Sequence, residues 1–121
     1  MKMDNKEFGK QLENRTKKFA INVIELSALL PNTPEGKVVR NQFTKAGTSV
    51  GANYREANRS RSKADFYNKI KICESESSET SYWLEIISLT GWIDNSKTEV
   101  LLAEGNELLA IFTSISSALK P

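Results

Sequence analysis

Four stretches of this chain carry an apolar residue at nearly every third or fourth position, and only a few residues separate each stretch from the next. That period lays side chains along one stripe of an α-helix, whereas a strand needs a period of two. The first stretch covers 5–30, with Phe8, Leu12, Arg15, Phe19, Val23, Leu26 and Leu30 in step. Asp4 and Glu7 have the spacing of a capping box, and Pro31 stops the helix by pushing Leu30 out of helical geometry. The second stretch, 34–58, follows a cap at Asn32 or Thr33 and has Pro34 in its first turn. Its stripe is Val39, Phe43, Ala46, Val50, Tyr54 and Ala57.

The third stretch, 63–90, opens with Ser62 and Asp65 and closes at Gly91. Phe66, Ile70, Cys73, Ser77, Thr80, Leu84 and Ile87 hold strict spacing along it. The fourth, 97–119, starts from a Ser96–Glu99 box and carries Leu101, Leu108, Phe112, Ile115 and Leu119. Nothing alternates with period two long enough to make a strand. Helices of roughly 23 to 28 residues are about 35 to 42 Å long, and joints this short force neighbours antiparallel. The fold class is therefore all-α, an up-down-up-down four-helix bundle, left-handed because the stripe recurs near every 3.5 residues. A chain of 121 residues without a linker or low-complexity run is one domain, 1–121.

Composition then removes most reaction chemistry. With no histidine there is no Ser-His-Asp triad, imidazole base or histidine metal ligand. Cys73 is alone, so it forms no intrachain disulfide or cysteine zinc cage, and its apolar helical setting reads as a buried structural thiol. Glu76 and Glu79 sit in a polar run on the third helix, but di-metal bundles also require Glu-x-x-His. A hydrogen-bonded structural role suits them better. No cofactor is expected and the protein reads as non-enzymatic. The first twenty residues hold no secretory signal, and no apolar run is long enough to span a membrane. The expected setting is cytoplasmic, with no membrane partner.

Net charge is +2, yet it is unevenly spread. Residues 1–71 hold 15 basic against 7 acidic side chains, a net +8, and residues 72–121 hold 2 against 8, a net −6. Antiparallel folding brings Lys2, Lys6, Lys10, Arg15, Lys17 and Lys18 beside Arg55, Arg59, Arg61, Lys63 and Lys69. Such a pole is either a phosphate-binding surface or a solvated face whose charges pair with Glu7, Glu13, Glu56 and Asp65. Gly47 and Gly51, each costing about 1 kcal/mol within a helix, line one face of the second helix. Three readings stand for them: packing inside the chain, a subunit interface, or a ligand surface. Trp83 and Trp92, flanking the third helix's end, read as core or interface rather than as base-stacking platforms.

The run VVRNQFTKAGTSVGANYREANRSRSKADFYNKIKI, followed by SETSYWLEII, resembles bacterial four-helix bundle proteins related to those encoded in intervening sequences of 23S ribosomal RNA genes. TSVGANYREA, Arg59, Arg61, Ser62, Phe66, Glu79, Thr80, Trp83, Leu84 and Glu85 carry the likeness most specifically. The family pattern has Asp before the Glu-Thr pair where this chain has Ser78. The resemblance implies a homopentamer with no established catalytic activity. A related branch, the accessory variability proteins of diversity-generating retroelements, works through a basic surface with a reverse transcriptase and RNA. Residues and resemblance together give a homo-oligomer that binds RNA or DNA through Arg55, Arg59, Arg61, Lys63, Lys17 and Lys18. Gly47, Gly51 and Trp83 are its packing or interface positions. The alternative is an oligomeric scaffold for a protein partner, without nucleic acid.

Overall fold

A computed structural model describes residues 5–121, so Lys2 and Asp4 lie outside the described residues. The chain forms α1 (Asn5–Ser27), α2 (Pro34–Asn58), α3 (Lys63–Thr90) and α4 (Asn95–Leu119), with no strand among the described residues. Each helix packs on its sequence neighbours, and α4 closes back on α1 with the least extensive contact of the four seams. Neighbours run antiparallel: Val23 meets Gly47 and Thr16 meets Gly51 across α1/α2, while Ser81 bonds Asn106 across α3/α4. The expected up-down-up-down bundle is the observed one.

The α2 and α3 boundaries follow their capping chemistry. Thr33 accepts from the Gly36 amide at 3.0 Å, Ser62 accepts from the Asp65 amide at 3.0 Å, and Gly91 ends α3 in the left-handed region with φ 70°. Two other boundaries differ from the sequence reading. The first helix stops at Ser27, not Leu30, because the next residues tighten into turns from Leu29 N to Leu26 O and from Leu30 N to Ser27 O. The Arg40 guanidinium collects the freed carbonyls, donating to Leu30 O at 2.7 Å and Ser27 O at 3.3 Å. The fourth helix starts at Asn95 because Asp94, not Ser96, is its cap; the Asp94 carboxylate accepts from the Ser96 amide at 3.0 Å. That bond holds the Asp94 carboxyl below its ordinary value.

The core is built on Phe19, Phe43 and Phe112, with Ile70, Leu84, Leu108, Val23 and Val50 around them. Every stripe residue expected on α2 is buried, as are six of the seven on α3, where Phe66 is half-buried. The α1 stripe is rotated. Gly9 and Thr16 are buried in place of Phe8 and Arg15, because Tyr54 and Asn58 of α2 close over Gly9. On α4, Gly105 is buried beneath Phe19, while Ile115 and Leu119 are only half-buried. The polar middle of α3 is buried but does not form one network. Thr80 bonds its own helix at Glu76 O, Ser81 reaches Asn106, and the Ser77 hydroxyl is unpartnered.

Cys73 is fully buried, its thiol donating to Val50 O at 3.6 Å. Burial pushes the thiol up to about 12, where it is neither a nucleophile nor a metal ligand at neutral pH. In the folded protein Cys73 is therefore expected to resist a thiol reagent at pH 8 and to react promptly once denaturant is added; rapid native labelling contradicts this burial.

Candidate nucleic-acid interface

The first half of α1 lies against the second half of α2, so the end of the bundle holding the α2/α3 joint gathers cations from both. Arg55 sits in the last turn of α2, Arg59 is its C-cap, Arg61 lies in the joint and Lys63 opens α3. Lys17 and Lys18 lie near the middle of α1, further from that end. All six are exposed. Among the described residues the ion pairs belong to Arg15 and Lys71, not to these six, and Glu13 bonds Asn58 rather than a cation. Lys63 beside a helix N-terminus gains nothing from the helix dipole. Arg55 and Arg59, at the C-terminal end of α2, are favourably placed for the dipole of that helix, but no ion pair among the described residues ties the six side chains to the fold.

The six are not one continuous site. Lys17 and Arg55 line the same cleft between α1 and α2, about 180 Å³ in volume, with Glu13, Thr48, Gly51 and Ala52. Lys18, about 100° further round the helix, does not line it. Glu13 Oε2 accepts from Asn58 Nδ2 at 2.9 Å, and Asn58 in turn bonds the Tyr54 hydroxyl, which burial holds above its ordinary pKa. This chain of bonds fixes Glu13 at the cleft wall.

Arg15, expected in the basic pole, belongs elsewhere. Its Nε and Nη2 donate to both Glu104 oxygens at 2.7 Å, and Nη2 lies 3.0 Å from Glu107. A bidentate pair of this kind fixes geometry as well as adding energy, and it ties α1 to α4 along the sparsest seam. The two carboxylates raise the guanidinium pKa further and absorb its charge.

Gly47 and Gly51 both approach α1 of the same chain. A Cβ on Gly47 would lie 2.6 Å from Val23 Cγ2, and one on Gly51 would lie 3.0 Å from Thr16 Oγ1. Trp83 is half-buried against the core, donates to Glu79 Oε2 at 3.3 Å, and meets the Tyr82 ring edge-on at 5.1 Å. Trp92 is 36% exposed beside Gly91. Both tryptophans lie away from the basic end. Glu76 is half-buried; burial and then Glu79 raise its carboxyl pKa, against Lys45 across the α2/α3 seam. No group of residues suited to hold a metal occurs among the described residues.

The opposite end exposes several large apolar side chains among its charged ones. Leu29, Val38, Leu89, Trp92 and Val100 are exposed there, Ile21, Ile24 and Tyr82 are exposed nearer the middle, and Phe8 and Ile72 are exposed in the basic half. Leu26, Leu29, Val100 and Leu101 line an open groove of about 600 Å³ between α1 and α4. No helix among the described residues is long and apolar enough to cross a membrane.

Several of these features escape sequence reading. Arg40, Glu104, Glu107 and Asn58 act on partners far away in the chain, and Glu13 appeared only as a candidate counter-charge. The Lys17–Arg55 juxtaposition was the legible part, since it follows from antiparallel pairing.

No curated protein matches this chain. A solved structure from Bacteroides thetaiotaomicron, described as a protein of unknown function from the S23 ribosomal protein family, superposes with a TM-score of 0.79 at 35% identity, covering 86% of this chain and 96% of that one. The family model for the 23S rRNA-intervening sequence protein matches residues 10–114. With that match spanning most of the four helices, the chain belongs to the 23S rRNA-intervening sequence protein family.

Proposed function

We propose that this is a non-enzymatic cytoplasmic protein that assembles with copies of itself through its apolar half and carries RNA or DNA on its basic end. The carrying observation is the segregation itself. Leu29, Val38, Leu89, Trp92 and Val100 are exposed towards one end, and Arg55, Arg59, Arg61 and Lys63 are exposed at the other, with Lys17 and Lys18 nearer the middle. The apolar side chains lining the α1/α4 groove mark an interaction site, and unpaired cations in a cluster mark an anionic partner.

Ring assembly needs two unlike faces, and the fold supplies candidates at one height. One is the α1/α4 groove. The other is the α2/α3 seam on the far side. There Lys45 faces Glu76, and one heptad onward in each antiparallel helix stand Val38 and Trp83. The number of subunits, five, rests on the family resemblance. The same resemblance adds a reverse transcriptase or another protein as a further partner.

Light scattering tests the assembly. The wild type is expected at a multiple of the 13.6 kDa chain mass, and a Leu29→Asp, Val100→Asp double variant at one chain mass with its helicity intact. A monomeric wild type contradicts the assembly reading.

A further inference from the structure

The cleft between Lys17 and Arg55 has a composition that plain phosphate attraction does not account for. Two cations stand on adjacent helices, and the floor between them is made of small residues, Gly51 and Ala52 among them. At about 180 Å³ it is smaller than the roughly 300–1,000 Å³ of pockets that bury a whole drug-sized ligand. It has room for a sugar–phosphate unit. One wall is a carboxylate, Glu13, which repels phosphate and is out of place in a site selected only for negative charge.

A carboxylate is, however, a strong acceptor with capacity for several hydrogen bonds. Asn58 takes one, at 2.9 Å, and orients the group. The remaining capacity suits a hydroxyl donor held beside the phosphate, and the 2′-hydroxyl of ribose is the group that separates RNA from DNA. The geometry points to a ribonucleotide seat: Lys17 and Arg55 hold the phosphate of one RNA unit, its ribose rests on Gly51 and Ala52, and Glu13 accepts the 2′-hydroxyl. This inference rests on the proposed nucleic-acid binding and adds to it a preference for RNA with a named reader.

The test is fluorescence anisotropy with single-stranded RNA and DNA of one sequence, uracil in both, at low salt. Wild-type protein is expected to favour RNA by about tenfold, the scale of a hydrogen bond to a charged group. Glu13→Ala should bring the RNA-to-DNA ratio close to one without weakening DNA binding, since it removes a negative charge. Ala52→Leu changes no charge and alters an exposed position, but it fills the floor; RNA affinity should fall by about tenfold. Equal wild-type affinities for the two polymers, or an Ala52→Leu variant that binds RNA like the wild type, overturn the seat and leave general phosphate binding standing. Failure to bind either polymer overturns both readings.

Discussion

Replacing Gly47 with valine is expected to lower the melting temperature by roughly 10 °C, which for a chain of this size corresponds to about 3 kcal/mol. A Cβ at this position would already lie 2.6 Å from Val23 Cγ2 and 2.7 Å from Val23 Cγ1. Val23 is fully buried and β-branched, so it has no free rotamer in which to retreat. The chain accepts the propensity cost of a mid-helix glycine because α1 and α2 touch backbone to side chain here. Pairing the change with Val23→Ala should restore at least half of the loss, because the cavity and the added methyls offset each other. A single variant that melts with the wild type contradicts the close packing of this seam.

Changing Arg55, Arg59, Arg61 and Lys63 together to alanine is expected to weaken single-stranded RNA binding by about 10² to 10³ at roughly 0.1 M salt. Each phosphate neutralised on a single strand contributes about −0.7 to the slope of log affinity against log salt, or about fivefold per contact at that salt. Four contacts multiply to that range. All four side chains are exposed, so the melting curve should be preserved. Arg15→Met supplies the control. Its charge is already held by Glu104 and Glu107, so RNA affinity should stay near wild type although a cation has been lost. Equal losses from Arg15 and from the cluster reduce the effect to net charge and remove the localised surface.

The fold was legible in the sequence wherever structure is decided locally. The stripe Val39, Phe43, Ala46, Val50, Tyr54 and Ala57 is buried throughout, because three-four spacing determines which side chains a helix can bury together. The caps at Thr33, Ser62 and Gly91 read true for the same reason. Where two capping residues stand two apart, as Asp94 and Ser96 do, spacing alone does not choose between them, and the carboxylate of Asp94 takes the amide.

Long-range partners were illegible. Arg15 falls in step with the α1 stripe and also adds to the basic count, yet its partners lie 89 or more residues away on α4. The end of α1 is met by Arg40 of the next helix, whose guanidinium takes the carbonyls of Ser27, Leu30 and Pro31. The basic end could be inferred from antiparallel pairing. The cleft within it could not, since Glu13 gains its meaning only from Asn58 and the Tyr54 hydroxyl beneath.

The central claim, that the basic end of this bundle binds nucleic-acid backbone, is tested most directly by measuring RNA affinity across salt. Anisotropy of a labelled single strand, titrated with protein between about 50 and about 200 mM salt, should give a straight line of log affinity against log salt. The expected slope is −3 to −4, for about five phosphates held, and it should become shallower by about 3 in the four-residue variant. Absence of binding at the lowest salt, or an affinity that salt does not change, contradicts the claim.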